Sequence, residues 1–411
     1  MSERIFLSGA SLVLPGRIAS GLTLVIEAGR VVDMTSAPVT GGPGGVHFHL
    51  PGHVVMPGFI DVHVHGLAGH DVLDGAEAMA AMAAGLPRHG VTAFCPTSIA
   101  CSPDVLDGFL GNVSSLRRLR RPVDARVIGA HVESNFINAE YRGAQPAACL
   151  RTADGSASNP PGAEGEFTGA DILAVIDGHR PDIGVVTLAP EVPGALALTR
   201  RLASGGTRVS LGHSAATLEI AEEAIAAGAR HATHLFNRMP PMTHRAPGLA
   251  GAVLASDAIA AELICDGHHV HAAFLQMAIA AKGVGHVMAI TDGTAGAGLP
   301  KGSRTRLGGQ TITVGDVARL DDGTSAGSVA TMDGVLRYLI GPCGVSLTDA
   351  AQICATTPAR ELGLVGYGAI APGATADLVV LDPGLAVVQT WIAGVLAWCG
   401  TSIGPESSPS S

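Results

Sequence analysis

Lysine is almost missing from this sequence: of 25 basic side chains only Lys282 and Lys301 are lysines. Cysteine is present but unpaired in pattern. The seven thiols (Cys95, Cys101, Cys149, Cys265, Cys343, Cys354 and Cys399) are odd in number and contain no CxxC, which excludes a complete disulfide framework and a cysteine-built zinc site and leaves small buried hydrophobes. No run of about 18 uninterrupted apolar residues occurs, despite the positive mean hydropathy, so no membrane span is expected. The opening MSERIFLSGASLVLPG lacks a basic n-region followed by an apolar h-region and a cleavage site. The expectation is therefore a cytoplasmic protein. No basic run offsets the net charge of −10, and LRRLRR (Leu116 to Arg121) reads as a solvated helix end, so nucleic acid is not an expected partner. What is present, 411 residues with 47% hydrophobic content, suffices for one large domain with a small one beside it.

From residue 58 onward, short β-branched runs alternate with alanine-rich helical stretches, the pattern of parallel βα units. Eight such runs begin at Gly58, Val91, Arg126, Ile183, Arg208, His231, Ala261 and His286. They predict an α/β fold, a (β/α)8 TIM-like barrel over residues 57–369. Alternating segments in residues 1–56 and 370–400 predict a small β-sandwich domain formed by both termini, and the polar TSIGPESSPSS of residues 401–411 a disordered tail.

Polar residues gather where the eight runs end, the rim on which such barrels build active sites. The first run carries DVHVHG, with His63 and His65 two apart and so on one face of a strand, able to bind one ion. Spacing alone is a weak signal, since a pair of hydrogen-bonded core histidines looks the same. His47-Phe48-His49 has that spacing too, but no partner carboxylates, and no metal is assigned to it. DVHVHG differs because Glu133, His213, His234 and Asp292 end other runs, and imidazoles with carboxylates suit zinc or a similar divalent ion, one or two per chain. Many binuclear hydrolases of this architecture bridge their ions with a carboxylated lysine on the fourth strand. Neither Lys282 nor Lys301 lies near that strand, so a bridge would have to be Glu133.

The segments PGFIDVHVHG, HVESNFINAEYRGAQP, TLAPE, LGHSAAT, THLFNRMPPMTHRAPGLAG, ICDGHHVH, ITDGTAGAG, GTSAGSVATMDG, ATTPAR and GAIAPGATADLVVLD occur in unbroken order from about Met56 to Asp382. In them the chain resembles the N-acetylglucosamine-6-phosphate deacetylase family of the amidohydrolase superfamily. The resemblance implies Glu133, His213 and His234 as ligands of the principal metal and Asp292, in TDG where TDA is usual, as the catalytic acid and base. Some members hold a second ion through HxH on the first strand and others use one; His63 and His65 place this chain with the former. For the substrate, the resemblance implies Ala144, Gln145, Asn237, Arg238, Arg245, His269 and the turn Ser325, Ala326 and Gly327. Arg245 is the chief phosphate candidate, because a guanidinium presents a fork of donors matched to phosphate oxygens. A homodimer whose partner contributes to the phosphate pocket is also implied.

Two departures bear on specificity. The family reads EGP where this chain has Glu133-Ser134-Asn135, and REPG where it has Arg245-Ala246-Pro247-Gly248. The Ser134-Asn135 pair is expected to reshape the acyl or sugar pocket, and Arg245 to lack its orienting glutamate. The reading is a metal-dependent amidohydrolase that releases acetate from an N-acetylated amino-sugar 6-phosphate. The alternatives are a related hydrolase of another N-acyl small molecule and a non-catalytic barrel that binds one.

Overall fold

The computed structural model describes residues 4–36, 45–119, 121–155 and 160–400; the expected disordered tail, 401–411, lies outside them. Its centre is a parallel barrel whose strands are numbered here β1 (Phe59–Val64), β2 (Val91–Ser98), β3 (Ala130–Glu133), β4 (Ile183–Leu188), β5 (Arg208–Leu211), β6 (His231–Ala232), β7 (Ala260–Ile264) and β8 (Val287–Ile290). Consecutive strands pair in parallel from β1 to β8. The ring closes just past the strand ends: Asp292 N donates to the His63 carbonyl at 2.9 Å and His65 N to that of Gly293 at 2.8 Å.

The helices that follow the strands are α1 (Ala76–Gly85), α2 (Pro103–Arg118), α3 (Gly169–Gly178), α4 (Ala195–Ser204), α5 (Leu218–Ala226), α6 (Gly248–Ala255), α7 (Ala272–Lys282) and α8 (Met332–Ile340). Strands covered on both faces read as continuous apolar runs, and period-2 geometry divides each between two cores. Ala93, Cys95, Ala260, Ile264, Met288 and Ile290 fill an inner cluster, while Phe94, Ala261, Leu263, Val287 and Ala289 join the cluster that packs against the helices. Among the described residues no helix is long and apolar enough to cross a membrane.

Two further sheets draw on both ends of the chain. A six-stranded sheet joins Ser11–Leu14, Arg17–Ala19 and Val54–Pro57, as one block, to Leu378–Leu381, Val387–Ile392 and Val395–Cys399 through the pairing of Val54–Pro57 with Leu378–Leu381; a four-stranded sheet holds Arg4–Ser8, Thr23–Glu27, Arg30–Thr35 and Gly45–His49. Leu7, Leu24, Ile26 and Phe48 from one pack with Leu12, Val55, Leu378, Val380 and Trp391 from the other. In this setting His47 stacks on Phe6 and His49 meets the Ser8 hydroxyl, so the second HxH belongs to sheet packing.

Between β8 and α8 lies a three-stranded antiparallel flap, Arg304–Leu307, Gln310–Val314 and Ala318–Leu320, which the strand-counting argument does not foresee. Its turn at Gly308 has φ +54°, and a Cβ there would lie 2.0 Å from Ile99 Cδ1, so glycine is what lets the flap close on the barrel rim. Gln310 Nε2 donates to the Ala144 carbonyl at 2.8 Å, tying the flap to the loop after β3.

Candidate active site

Each strand end delivers its polar side chain to one place. His131 and Glu133, two apart on β3, both turn into the barrel, and Glu133 stands at the centre. Its Oε1 is 2.9 Å from His213 Nε2, 3.2 Å from His234 Nε2 and 3.9 Å from His63 Nε2; Oε2 is 3.7 Å from His65 Nε2 and also accepts from Gln145 Nε2. Asp292 faces it across the mouth, with Oδ1 3.1 Å from His65 Nε2 and 3.4 Å from His63 Nε2. All six side chains are buried or nearly so.

The backbone carries strain at these positions. His213, His234 and Asp292 have φ of +47°, +32° and +49°, values that cost a non-glycine residue about 1–3 kcal/mol each and persist where the surroundings over-determine them. Gly327, φ +64°, packs beside Asp292, where a Cβ would come within 2.8 Å of the Asp292 carbonyl oxygen.

Protons show what the constellation is for. His213 Nδ1 faces the Tyr141 carbonyl at 2.8 Å and His65 Nδ1 the Thr97 carbonyl at 2.9 Å; carbonyls only accept, so each Nδ1 carries a hydrogen and each ring turns its Nε2 inward, as a lone pair whenever the ring is neutral. Those lone pairs meet other acceptors. The His213 and His234 Nε2 atoms are 3.0 Å apart, and those of His63 and His65 3.2 Å. Nitrogen lone pairs and carboxylate oxygens at such distances repel unless a proton or a metal ion lies among them, and such a cluster of inward-facing donors fits a metal ion. Donor atoms of His63, His65 and Glu133, and again of Glu133, His213 and His234, lie within 4.8 Å of one another.

Electrostatics agree with that geometry. Burial opposes charge on Glu133, yet the facing imidazoles of His213, His234 and His63 hold its carboxyl well below the usual range. Burial drives His63 well below the ordinary imidazole value and so keeps it neutral. It also lowers His65, but Asp292 and Glu133 outweigh it and raise that ring to about 9, the mark of a strongly negative field.

A cavity of about 510 Å³ opens over these groups, lined by Ala144, Gln145, Asn237, Arg238, His269, Ser325 and Gly327 among others. Ala326 is fully buried behind the turn and does not line it. Two of the features singled out in the sequence stand away from the cavity of their own chain. Arg245 is exposed in a segment, Pro241 to Ala246, whose residues are all exposed; it does not line its own chain's cavity and makes no ion pair with the described residues. The side chains of Ser134 and Asn135 do not line the pocket either. Ser134 Oγ donates to the Thr187 carbonyl at 2.6 Å, and Asn135 Nδ2 to those of Cys101 and Cys149, both at 2.7 Å, so the pair braces loops from behind.

Several residues enter that the sequence argument missed. Glu262 on β7 shares a hydrogen bond with His63 Nδ1 at 3.0 Å and orients that ring; burial pushes its own carboxyl well above the usual range. Its signal was an acidic residue inside the apolar run AELIC. Ile99, Phe236, Met239, His268 and Leu307 also line the cavity. Phe236, Met239 and His268 lie within THLFNRMPPMTHRAPGLAG and ICDGHHVH without having been singled out there, whereas Ile99 and Leu307 have no motif to mark them, because flap and rim meet only after folding.

Converging imidazoles and carboxylates on the C-terminal rim of a parallel barrel define a metal-dependent hydrolase. The sequence matches the amidohydrolase family over residues 54–397. It is 38% identical over 367 residues to the N-acetylglucosamine-6-phosphate deacetylase of Mus musculus, covering 86% of both chains, and 35% identical over 346 residues to the N-acetylgalactosamine-6-phosphate deacetylase of Escherichia coli O157:H7, covering 84% of this chain and 88% of that one. The fold superposes with a TM-score of 0.84, at 30% identity, on an aspartate-to-alanine mutant of N-acetyl-D-glucosamine-6-phosphate deacetylase from Mycobacterium smegmatis in complex with N-acetyl-D-glucosamine-6-phosphate, covering 96% and 99% of the two chains. The chain belongs to the amidohydrolase family and, within it, groups with the N-acetylglucosamine-6-phosphate deacetylases; it is a hydrolytic enzyme.

Proposed function

We propose that this enzyme hydrolyses the acetamide of an N-acetylated amino-sugar 6-phosphate, N-acetylglucosamine 6-phosphate foremost, releasing acetate and the amino-sugar phosphate. The observation that carries the reading is Glu133 between two imidazole pairs with Asp292 opposite, in a chain that matches such deacetylases over most of its length. Glu133, His213 and His234 would hold the principal ion and His63 with His65 a second, with Glu133 offering an oxygen to each pair; the nitrogen and oxygen donors suit zinc. Such an ion, when bound, lowers the pKa of water to about 7 and polarises a carbonyl.

An amide carbonyl is a poor electrophile and an amine a poor leaving group, so the chain must also move a proton. Asp292 Oδ1, beside His63 and His65, is placed to take a proton from the attacking water and return it to the nitrogen as the C–N bond breaks. Gln145 fixes the second oxygen of Glu133 while its Oε1 accepts from Ala100 N at 2.7 Å, which holds the β3 loop to the end of β2. Burial works against charge on His269, but the Asp266 carboxylate at 2.6 Å outweighs it and raises the ring, making a persistent donor for a sugar oxygen. Ile99, Ala144 and Leu307 give one wall of the cavity an apolar strip suited to an acetyl methyl.

Arg238 takes the phosphate within the chain. It is half-buried on the cavity wall, its Nη2 donates to the Ser325 carbonyl at 2.8 Å, and no carboxylate pairs with it among the described residues, so its remaining N–H groups are free for an anion. The exposed Arg245 would reach the same phosphate only from a second copy, which is the role a homodimer gives it. Deacetylation rates for N-acetylglucosamine, N-acetylgalactosamine and N-acetylmannosamine, each with and without the 6-phosphate, test the reading. Preference for an unphosphorylated sugar, or turnover of none of them, would overturn it.

A further inference from the structure

Glu191 closes TLAPE, the turn after β4, and has no part in the chemistry above. β4 is also the one barrel strand followed by no cavity-lining residue among the described residues. Yet Glu191 sits behind two of the loops that build the cavity. Its Oε1 accepts from Asn138 Nδ2 at 2.9 Å and from Ala215 N at 2.6 Å, and its Oε2 from Ser214 Oγ at 2.7 Å. One carboxylate thus joins the loop after β3 to the residues that follow His213.

The contacts run on into a closed ring. Asn138 N donates to the His213 carbonyl at 2.9 Å, Asn138 Oδ1 accepts from Glu140 N at 2.8 Å, and the Asn138 carbonyl accepts from Tyr141 N at 3.1 Å. The Tyr141 carbonyl then accepts from His213 Nδ1 at 2.8 Å. His213 is therefore held at its backbone by Asn138, at its ring by Tyr141, and just past its Cα by Ser214 and Ala215; three of these four anchors lead directly to Glu191. A left-handed φ of +47° needs such over-determination, since nothing local favours it in histidine.

We infer that Glu191 is a positioning residue: it sets the His213 backbone and, through Asn138 and Tyr141, the orientation in which the His213 Nε2 lone pair faces the site, and it fixes the loop that carries Gln145 to the same frame. The inference rests on His213 being a metal ligand, as proposed above. Outer partners of a ligating histidine contribute by orienting it, and their removal costs about 10- to 100-fold in metal affinity.

The test is zinc affinity of the holoenzyme by chelator competition, in wild type, Glu191→Ala, Glu191→Gln, Asn138→Ala and His213→Asn. Glu191→Ala should loosen zinc about 10- to 100-fold. Glu191→Gln should stay near wild type, because its Oε1 keeps two of the contacts and its amide can donate to the Ser214 hydroxyl. Asn138→Ala, one link along the ring, should resemble Glu191→Ala and serves in its place if that variant does not fold. Asp333→Ala removes a carboxylate clamped by His89 and Arg337 outside the site and should leave zinc affinity unchanged. Wild-type affinity in Glu191→Ala, equal loss in Glu191→Gln, or equal loss in Asp333→Ala would overturn the inference. His213→Asn separates the two claims: if it too keeps full affinity, the ligand assignment has failed rather than the positioning role.

Discussion

Replacing Arg238 with alanine removes the one guanidinium that lines the cavity among the described residues, and its effect is best read as a ratio. A charge-assisted hydrogen bond contributes about 1.5–3 kcal/mol, so losing it should lower kcat/KM for the 6-phosphate by roughly 10- to 150-fold, at about 1.4 kcal/mol per tenfold. Part of any loss will be general, because Arg238 also holds the Ser325 carbonyl and packs on Gly143, where a Cβ would lie 2.4 Å from its Nε. That part depresses the unphosphorylated sugar equally and cancels in the ratio of the two kcat/KM values. The assay is initial-rate acetate release from both substrates for wild type, Arg238→Ala and Arg245→Ala. Arg238→Ala should collapse the preference for phosphate. Arg245→Ala should lower it only where the protein associates, with the effect fading on dilution to monomer. An unchanged ratio in Arg238→Ala would refute the assignment of the phosphate to this side chain.

Asp292→Asn keeps the shape but cannot take a proton, so kcat should fall at least about 10²-fold with metal content intact; near-normal turnover would remove Asp292 from the proton path. His63→Asn with His65→Asn should lower the bound metal from two ions to one by elemental analysis, leaving the Glu133, His213 and His234 site filled, and an unchanged stoichiometry would mean that DVHVHG holds no second ion. Gly327→Ala forces a side chain against the Asp292 carbonyl at a φ of +64°. A displacement near 1 Å costs about 10²-fold in rate, so kcat should drop while zinc affinity holds; full activity would show that the turn yields without moving Asp292.

The barrel was legible in the sequence because buried parallel strands must be apolar and their helices amphipathic, so eight runs beginning at Gly58, Val91, Arg126, Ile183, Arg208, His231, Ala261 and His286 stand out locally. Seven of the eight start within a residue of a barrel strand; the third starts at Arg126, four residues before β3. The metal candidates were legible for a related reason. Charged and imidazole groups at the ends of apolar runs are expensive to bury without a purpose, and period-2 geometry says which way His63 and His65, or His131 and Glu133, point.

Hydrogen-bond partners were not legible, since they join residues far apart in the chain. Glu262 meets His63 across 199 positions and Gln310 meets the Ala144 carbonyl across 166, and neither pair leaves a local pattern. Arg245 shows the limit from the other side: its motif suggested phosphate, but the fold leaves it outside its own cavity and puts Arg238 on the wall. The sequence by itself determined the strands, the rim and the candidate ligand types, because periodicity and burial act over a few residues. Only the tertiary structure decided which imidazole nitrogen faces inward, which loops Ser134 and Asn135 brace, and which arginine enters the cavity, because those depend on where segments 14 to 199 positions apart in the chain come to rest.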